Sequence, residues 1–195
     1  HSTASIGIVT SDHCLEGAET IIRNADVAMY EAKRAGRARS VFFNDAMHTR
    51  LSRNLLIETS LRKALGTDQL ALVYQPIVEL DTGKRSSVEA LIRWRHPSLG
   101  AISPAEFVPV AEESGLIIAM GEWVMRESCA ALARWQKLDP EKAPRVVSVN
   151  VSRAELAQGA RLLKCVRESL AAAGLSSNSL QLEVTEREVM RDPQA

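Results

Sequence analysis

The chain has 195 residues, 46% of them hydrophobic and 25% charged, and its 24 basic and 24 acidic side chains leave no formal net charge. With both signs mixed along the chain, composition gives no electrostatic attraction to duplex nucleic acid or to an anionic membrane surface. No apolar run reaches the roughly 20 residues of a membrane span, and His1 to Gly7 carries no signal-peptide pattern, so a cytoplasmic setting is expected, with a membrane anchor upstream in a longer parent left open. The three cysteines, Cys14, Cys129 and Cys165, lack metal-ligand spacing and read as reduced thiols.

In chain order, Ser5 to Val9 reads as a strand and Ala18 to Ala35 as a helix whose Ile21, Ala25, Ala28, Met29 and Ala32 share one apolar face. Gly36 stops that helix as its C′ residue, and Ser40 to Phe43 reads as a short strand. From Asp45 to Leu65, the apolar Met47, Leu51, Leu55, Leu61 and Leu65 recur at near-helical spacing among charged residues. This segment is either a semi-rigid connector between two domains or the first helix of the second domain, packed on its own barrel.

Leu70 to Val78 and Ser86 to Trp94 read as strands joined by the turn Asp81-Thr82-Gly83-Lys84, in which Gly83 supplies the unusual φ. A hairpin makes this pair antiparallel. Helices are expected over Pro104 to Glu113, Ile117 to Leu138 and Gly159 to Ala173, and strands over Arg145 to Val151 and Leu180 to Thr185. Ser103 to Glu106, Ser152 to Glu155 and Thr185 to Glu188 each fit a capping box, the first with Pro104 at the position where a missing N–H costs nothing. His1, His13, His48 and His96 show no ligand spacing, and His96, just before Pro97, reads as a loop residue.

Strand alternation puts Val88, Ala90, Ile92 and Trp94 on one face and Glu89, Leu91 and Arg93 on the other. A half-buried edge strand with a solvated face would show the same pattern. Asn150, however, is opposite in parity to Val147, Val149 and Val151, Glu183 is likewise on the polar side of its strand, and both strands run into a capped helix. Strand, polar residue and capped helix make a βα unit, and in parallel α/β folds the carboxyl ends of the strands form the active face. Glu89, Asn150 and Glu183 are thus candidates to converge there. Three hard oxygen ligands, two of them anionic, suit Mg²⁺ or Mn²⁺ rather than a soft metal.

The runs Leu72 to Val78, Glu89-Ala90-Leu91-Ile92-Arg93-Trp94, Ile102 to Pro109, Val149-Asn150-Val151-Ser152 and Leu182-Glu183-Val184-Thr185-Glu186 resemble, in order, the motifs of the EAL family of cyclic di-GMP phosphodiesterases. Ala4 to Ile8, Ala25 to Lys33 and Gly36-Arg37 resemble the C-terminal part of a GGDEF diguanylate cyclase domain, and the two domains are a common tandem in bacterial signalling proteins. The implied division is 1–46 for the end of the GGDEF domain, 47–65 for a helical connector and 66–195 for the first half of the EAL domain. The implied fold is α/β: an incomplete (β/α)₈ TIM-like barrel with an antiparallel first strand, preceded by the α/β GGDEF piece. A whole barrel of this class takes about 250 residues, and the EAL-like stretch is about half of that.

The resemblance implies hydrolysis of cyclic di-GMP to pGpG by two divalent ions, Mg²⁺ or Mn²⁺. It assigns Glu89, Asn150 and Glu183 to the metals, Gln75, Leu91 and Arg93 to the substrate, and Glu89 with Glu186 to catalysis. Lys33 and Arg37 match GGDEF positions that contact nucleotide phosphates, with GTP the partner of a complete GGDEF domain; two basic residues at a helix C-terminus also suit the helix dipole. Ala38 stands where that family often has Asn. The family's Asp-Asp pair and Lys belong to its second half and are not assignable, so the parent is expected to be the enzyme and the 195 residues alone inactive. A catalytically degenerate cyclic di-GMP receptor or protein-interaction module is the alternative, and a homodimer is left open.

Overall fold

The computed structural model describes residues 3–10, 17–81, 83 and 85–184. The chain divides into two compact units, His1–Ile57 and Glu58–Ala195. Thr185 to Ala195, with Glu186 and the third capping box, lie outside the described residues, as do Thr82 and Lys84 of the hairpin turn.

In the first unit, β1 (Ile6–Ile8) and β2 (Ser40–Phe42) pair in parallel, with Ile6 opposite Ser40. A parallel pair requires a crossover, and α1 (Ala18–Arg34) lies in it. Val27 and Ala28 of this helix form a small core with Phe43 and Met47, against which Val9, Val41 and Leu51 pack. Strand and helix meet so closely at Gly7 that a Cβ there would collide with the Ala25 carbonyl oxygen and the Met29 nitrogen. The next helix, α2 (Asp45–Ala64), starts in this unit, where His48 Nε2 is 2.7 Å from Asn24 Oδ1 and Arg50 pairs with Glu31 at 2.9 Å. The division between the units falls within α2.

The second unit holds a five-stranded sheet in the order β3-β4-β6-β7, with β5 on β4 off that path. β3 (Leu70–Val78) and β4 (Arg85–His96) are antiparallel, as the hairpin turn requires, and Gly83 does adopt a positive φ of 66°. β4 is parallel to β6 (Val146–Asn150), and β6 to β7 (Leu180–Glu183). Around them lie α3 (Pro104–Glu113), α4 (Leu116–Leu138), α5 (Arg153–Leu156) and α6 (Gly159–Ala173). Val88 and Ala90 of β4 and Val147 and Val149 of β6 are buried with Val124, Met125 and Leu132 of α4 and Cys165 of α6. One sheet face is therefore helix-covered, and Tyr74 joins it edge-on to Trp135, with ring centroids 4.6 Å apart. Among the described residues, no helix is long and apolar enough to cross a membrane.

Three expectations are corrected. First, β5 (Gly100–Ile102) is an additional strand, antiparallel to the end of β4, which runs on to His96 because β5 gives those residues a partner. Second, His96 is consequently the last residue of a strand rather than a loop residue. Its Nδ1 accepts from the Ser98 and Leu99 N–H groups at 3.1 Å each, and its Nε2 lies 3.2 Å from Ser60 Oγ, so the imidazole takes up N–H groups that the turn leaves unpaired. Third, Ser103 caps α3 without a side-chain bond. The Glu106 N–H, which a capping box would give to the hydroxyl, goes instead to the Ser103 carbonyl at 2.9 Å.

Two predictions follow from strain and burial. Arg37 and Ala38 both have left-handed backbones, with φ of 60° and 50°, a conformation that costs an L-residue about 1–2 kcal/mol. Ala38→Gly should raise the stability of the first unit by up to about 1 kcal/mol, since relief of strain is partly offset by the entropy of an added glycine; a denaturant midpoint that falls instead would show the turn to be unstrained. In the second unit, burial pushes the fully buried Cys129 thiol up to about 11 from 9.0. Its contribution to stability is therefore present below pH 9 and lost as pH rises through 11, and maleimide should leave Cys129 unmodified at pH 8 until the protein is unfolded.

Candidate functional site

Residues facing each other across a sheet point to the same side. Because Val88, Ala90, Val147 and Val149 lie in the helix-covered core, the opposite face of β4 and β6 carries Glu89, Leu91, Arg93, Ser148 and Asn150. Gln75 is opposite Glu89 on β3, and Glu183 is opposite Asn150 on β7. Four strands thus place Gln75, Glu89, Asn150 and Glu183 on one face, clear of the helices.

Glu89 and Asn150 meet directly. Asn150 Nδ2 donates to Glu89 Oε1 at 2.7 Å, a bond between residues 61 apart in sequence. The bond fixes the carboxylate from one side. With its NH₂ so engaged, Asn150 retains its amide oxygen as a neutral acceptor. Glu183 is tied to the same place through the backbone, its carbonyl accepting the Val151 N–H at 2.8 Å. Two carboxylates and an amide oxygen at neighbouring positions fit a hard divalent cation. Among the described residues, no group of three or more His, Cys, Asp or Glu is placed to hold a metal ion.

The other expected site residues are placed less tightly. Gln75 is exposed, and Arg93 is exposed with Nη1 turned back onto the Ile92 carbonyl at 2.8 Å, so its guanidinium is not paired with Glu89. Leu91 is half-buried and lines, with Arg93, Asn150, Pro104, Met120 and Glu155, a cavity of about 290 Å³ between strand ends and helices. Lys33 is exposed in the last turn of α1, and Arg37 lies beyond that helix, its N–H on the Ala32 carbonyl.

Sequence reasoning missed two features. Ser148, opposite Glu89, is fully buried and its hydroxyl has no hydrogen-bond partner; nothing in a β-branched run distinguishes it from its neighbours. Glu155 reads from sequence only as a helix cap, and the cap forms, yet its carboxylate also reaches the cavity wall. The signal was its position five residues after Asn150.

The Glu89–Asn150 contact makes Asn150→Asp informative. It would set two carboxylates within hydrogen-bonding distance, which raises the apparent pKa of the pair above the usual carboxylate range. A raised folded-state pKa gives stability that is lost as pH rises. In metal-free buffer, the variant should melt closer to the original protein at pH 5 than at pH 8; equal melting differences at both pH values would mean that the two side chains are not in contact.

Residues 58–195 match the family model described as EAL domain. The chain is 41% identical over 193 residues to the bifunctional diguanylate cyclase/cyclic di-GMP phosphodiesterase MucR of Pseudomonas aeruginosa, which covers 99% of this chain and 28% of MucR. With the cyclic di-GMP phosphodiesterase NbdA of the same species it shares 38% identity over 188 residues, 96% of this chain and 24% of NbdA. It therefore spans only about a quarter of the length of either relative. A solved structure, the PaMucR phosphodiesterase in complex with c-di-GMP, is 40% identical and superposes with a TM-score of 0.64 over 71% of this chain and 55% of that one.

Proposed function

We propose that this chain, which belongs to the EAL domain family, serves the hydrolysis of one phosphodiester bond of cyclic di-GMP to give linear pGpG. The observation that carries this reading is the Asn150–Glu89 hydrogen bond on the helix-free face, with Glu183 in register beside it. The relatives named for cyclic di-GMP hydrolysis supply the substrate.

In this reading Glu89, Asn150 and Glu183 hold Mg²⁺ or Mn²⁺. Such ions, when bound, make hydroxide available near neutral pH and neutralise charge growing on a phosphoryl group. The protein's own part is orientation. Asn150 holds the Glu89 carboxylate in place while adding no third negative charge. Arg93 can exchange its bond to the Ile92 carbonyl for a phosphate oxygen, where a guanidinium forms paired, charge-assisted bonds. Gln75 offers a neutral amide to the substrate and Leu91 an apolar surface at the cavity. Glu186 is the second acidic residue in this reading.

The sheet is, in the same reading, one side of a (β/α)₈ barrel whose interior is the face bearing Glu89. Residues 1–46 belong to the end of a GGDEF domain, where Lys33 and Arg37 lie by the phosphates of GTP when that domain is whole, and 47–65 connect the two. What supports this part is the alignment to MucR, which runs through the first unit and whose name includes a diguanylate cyclase.

The test is Glu89→Ala in the full-length protein, with pGpG followed chromatographically. Hydrolysis should fall by more than about 100-fold, beyond the 10- to 100-fold typical of an outer-shell partner, while circular dichroism stays unchanged. Undiminished hydrolysis in metal-replete buffer would end the assignment.

A further inference from the structure

Resting on the reading of Asn150 as a metal ligand, we propose that Glu155 is a positioning residue that sets Asn150 through Ser152, with Gly121 providing its seat. Asn150 is the last residue of β6, and the direction of the chain beyond it is fixed two residues later. There Glu155 Oε2 accepts both the Ser152 N–H at 2.9 Å and the Ser152 hydroxyl at 2.6 Å, while the Glu155 N–H lies 3.4 Å from Ser152 Oγ. Both residues are buried. The helix they open, α5, has four residues, too few to stand by its own hydrogen bonds. A buried capping box on so short a helix therefore serves to turn the chain.

The opposite wall is α4. A Cβ at Gly121 would collide with the Glu155 carboxylate, so that carboxylate rests directly on the α4 backbone. Between Ser152 and Asn150 stands Val151, buried, with its N–H on the Glu183 carbonyl. Asn150 is thus held from its C-terminal side by a continuous series, from α4 through Glu155 and Ser152 to Val151. Its own side chain must stay within bonding distance of Glu89, and ligand sets lose function when displaced by more than about 0.5 Å. Freed of Glu155, the segment from Val151 onward would lose the contact that orients it. Glu155 then acts at a distance on the metal set, although its carboxylate is engaged with Ser152.

The experiment uses the metal-free full-length protein and reads Mn²⁺ affinity by calorimetry together with kcat and KM for cyclic di-GMP. Glu155→Ala should weaken Mn²⁺ binding by about 10- to 100-fold and lower kcat more than it raises KM. Glu155→Gln keeps an acceptor oxygen at the same place and also completes a capping box, so it should recover to within a few-fold of the original. Gly121→Ala, which displaces an intact carboxylate, should reproduce the loss. Where Glu155→Ala does not fold, Ser152→Ala takes its place, since it deletes the 2.6 Å hydroxyl bond and the longer contact from the Glu155 N–H while leaving the Ser152 N–H on the carboxylate. Unchanged Mn²⁺ affinity in the folded variants overturns the proposal, as does equal weakening in Glu155→Ala and Glu155→Gln, which would assign the effect to charge. Asn150→Ala separates the layers: if it too leaves Mn²⁺ affinity intact, the reading of the site fails, and if it alone weakens binding, only the role of Glu155 does.

Discussion

The parallel register of β4 on β6 is the constraint on which the rest of this molecule depends. Glu89 opposite Ser148 and Ala90 opposite Val149 bury Val88, Ala90, Val147 and Val149 together and bring Asn150 to within 2.7 Å of Glu89. A slip of one residue would exchange the two faces of the strand. It would drive the Glu89 carboxylate into the apolar core, where an unpaired charge costs several kcal/mol, and expose the valines. Core and site are therefore specified by one register, and the apolar side chains that never approach the site are the ones that enforce its geometry.

The reversed first strand extends that face without disturbing it. Antiparallel pairing sets Tyr74 opposite Ala90 and Gln75 opposite Glu89. Tyr74 can then reach Trp135 on the helix side while Gln75 is offered on the other. A hairpin needs only a tight turn, where a parallel strand would need a helix-length crossover. The sheet thereby gains an amide next to Glu89 at the cost of the six connecting residues 79–84.

Much of this was legible because its signal is periodic. β3, α3 and α6 fall where apolar spacing and punctuation put them, and the parity of Asn150 against its flanking valines gave the correct face. The Ser152–Glu155 cap was readable because its pattern is local. What escaped is short or depends on distant partners. β5 is the three residues Gly100, Ala101 and Ile102, without alternation to detect, and it exists because the end of β4 offers it a ladder. His96 owes its bonds to that extension. The need for glycine at 121 arises only when α5 is brought against α4, and within a helical pattern such a residue reads as a mild defect.

The composition of the helix-free face bears on how it is used. Val73 and Ile77 of β3 lie on it, 44% and 41% exposed, on either side of Gln75, and Leu91 lies beside Arg93. A sheet face meant for water in an antiparallel meander alternates to polar residues. This one intersperses β-branched side chains with two carboxylates and three amides, Gln181 standing opposite Ser148. That mixture suits an enclosed interior where apolar walls lower the local dielectric and a few placed polar groups act with more force than they would in water. Asn150 stands on the strand between those that carry Glu89 and Glu183, and as a neutral amide it adds a polar group to the face without a third negative charge.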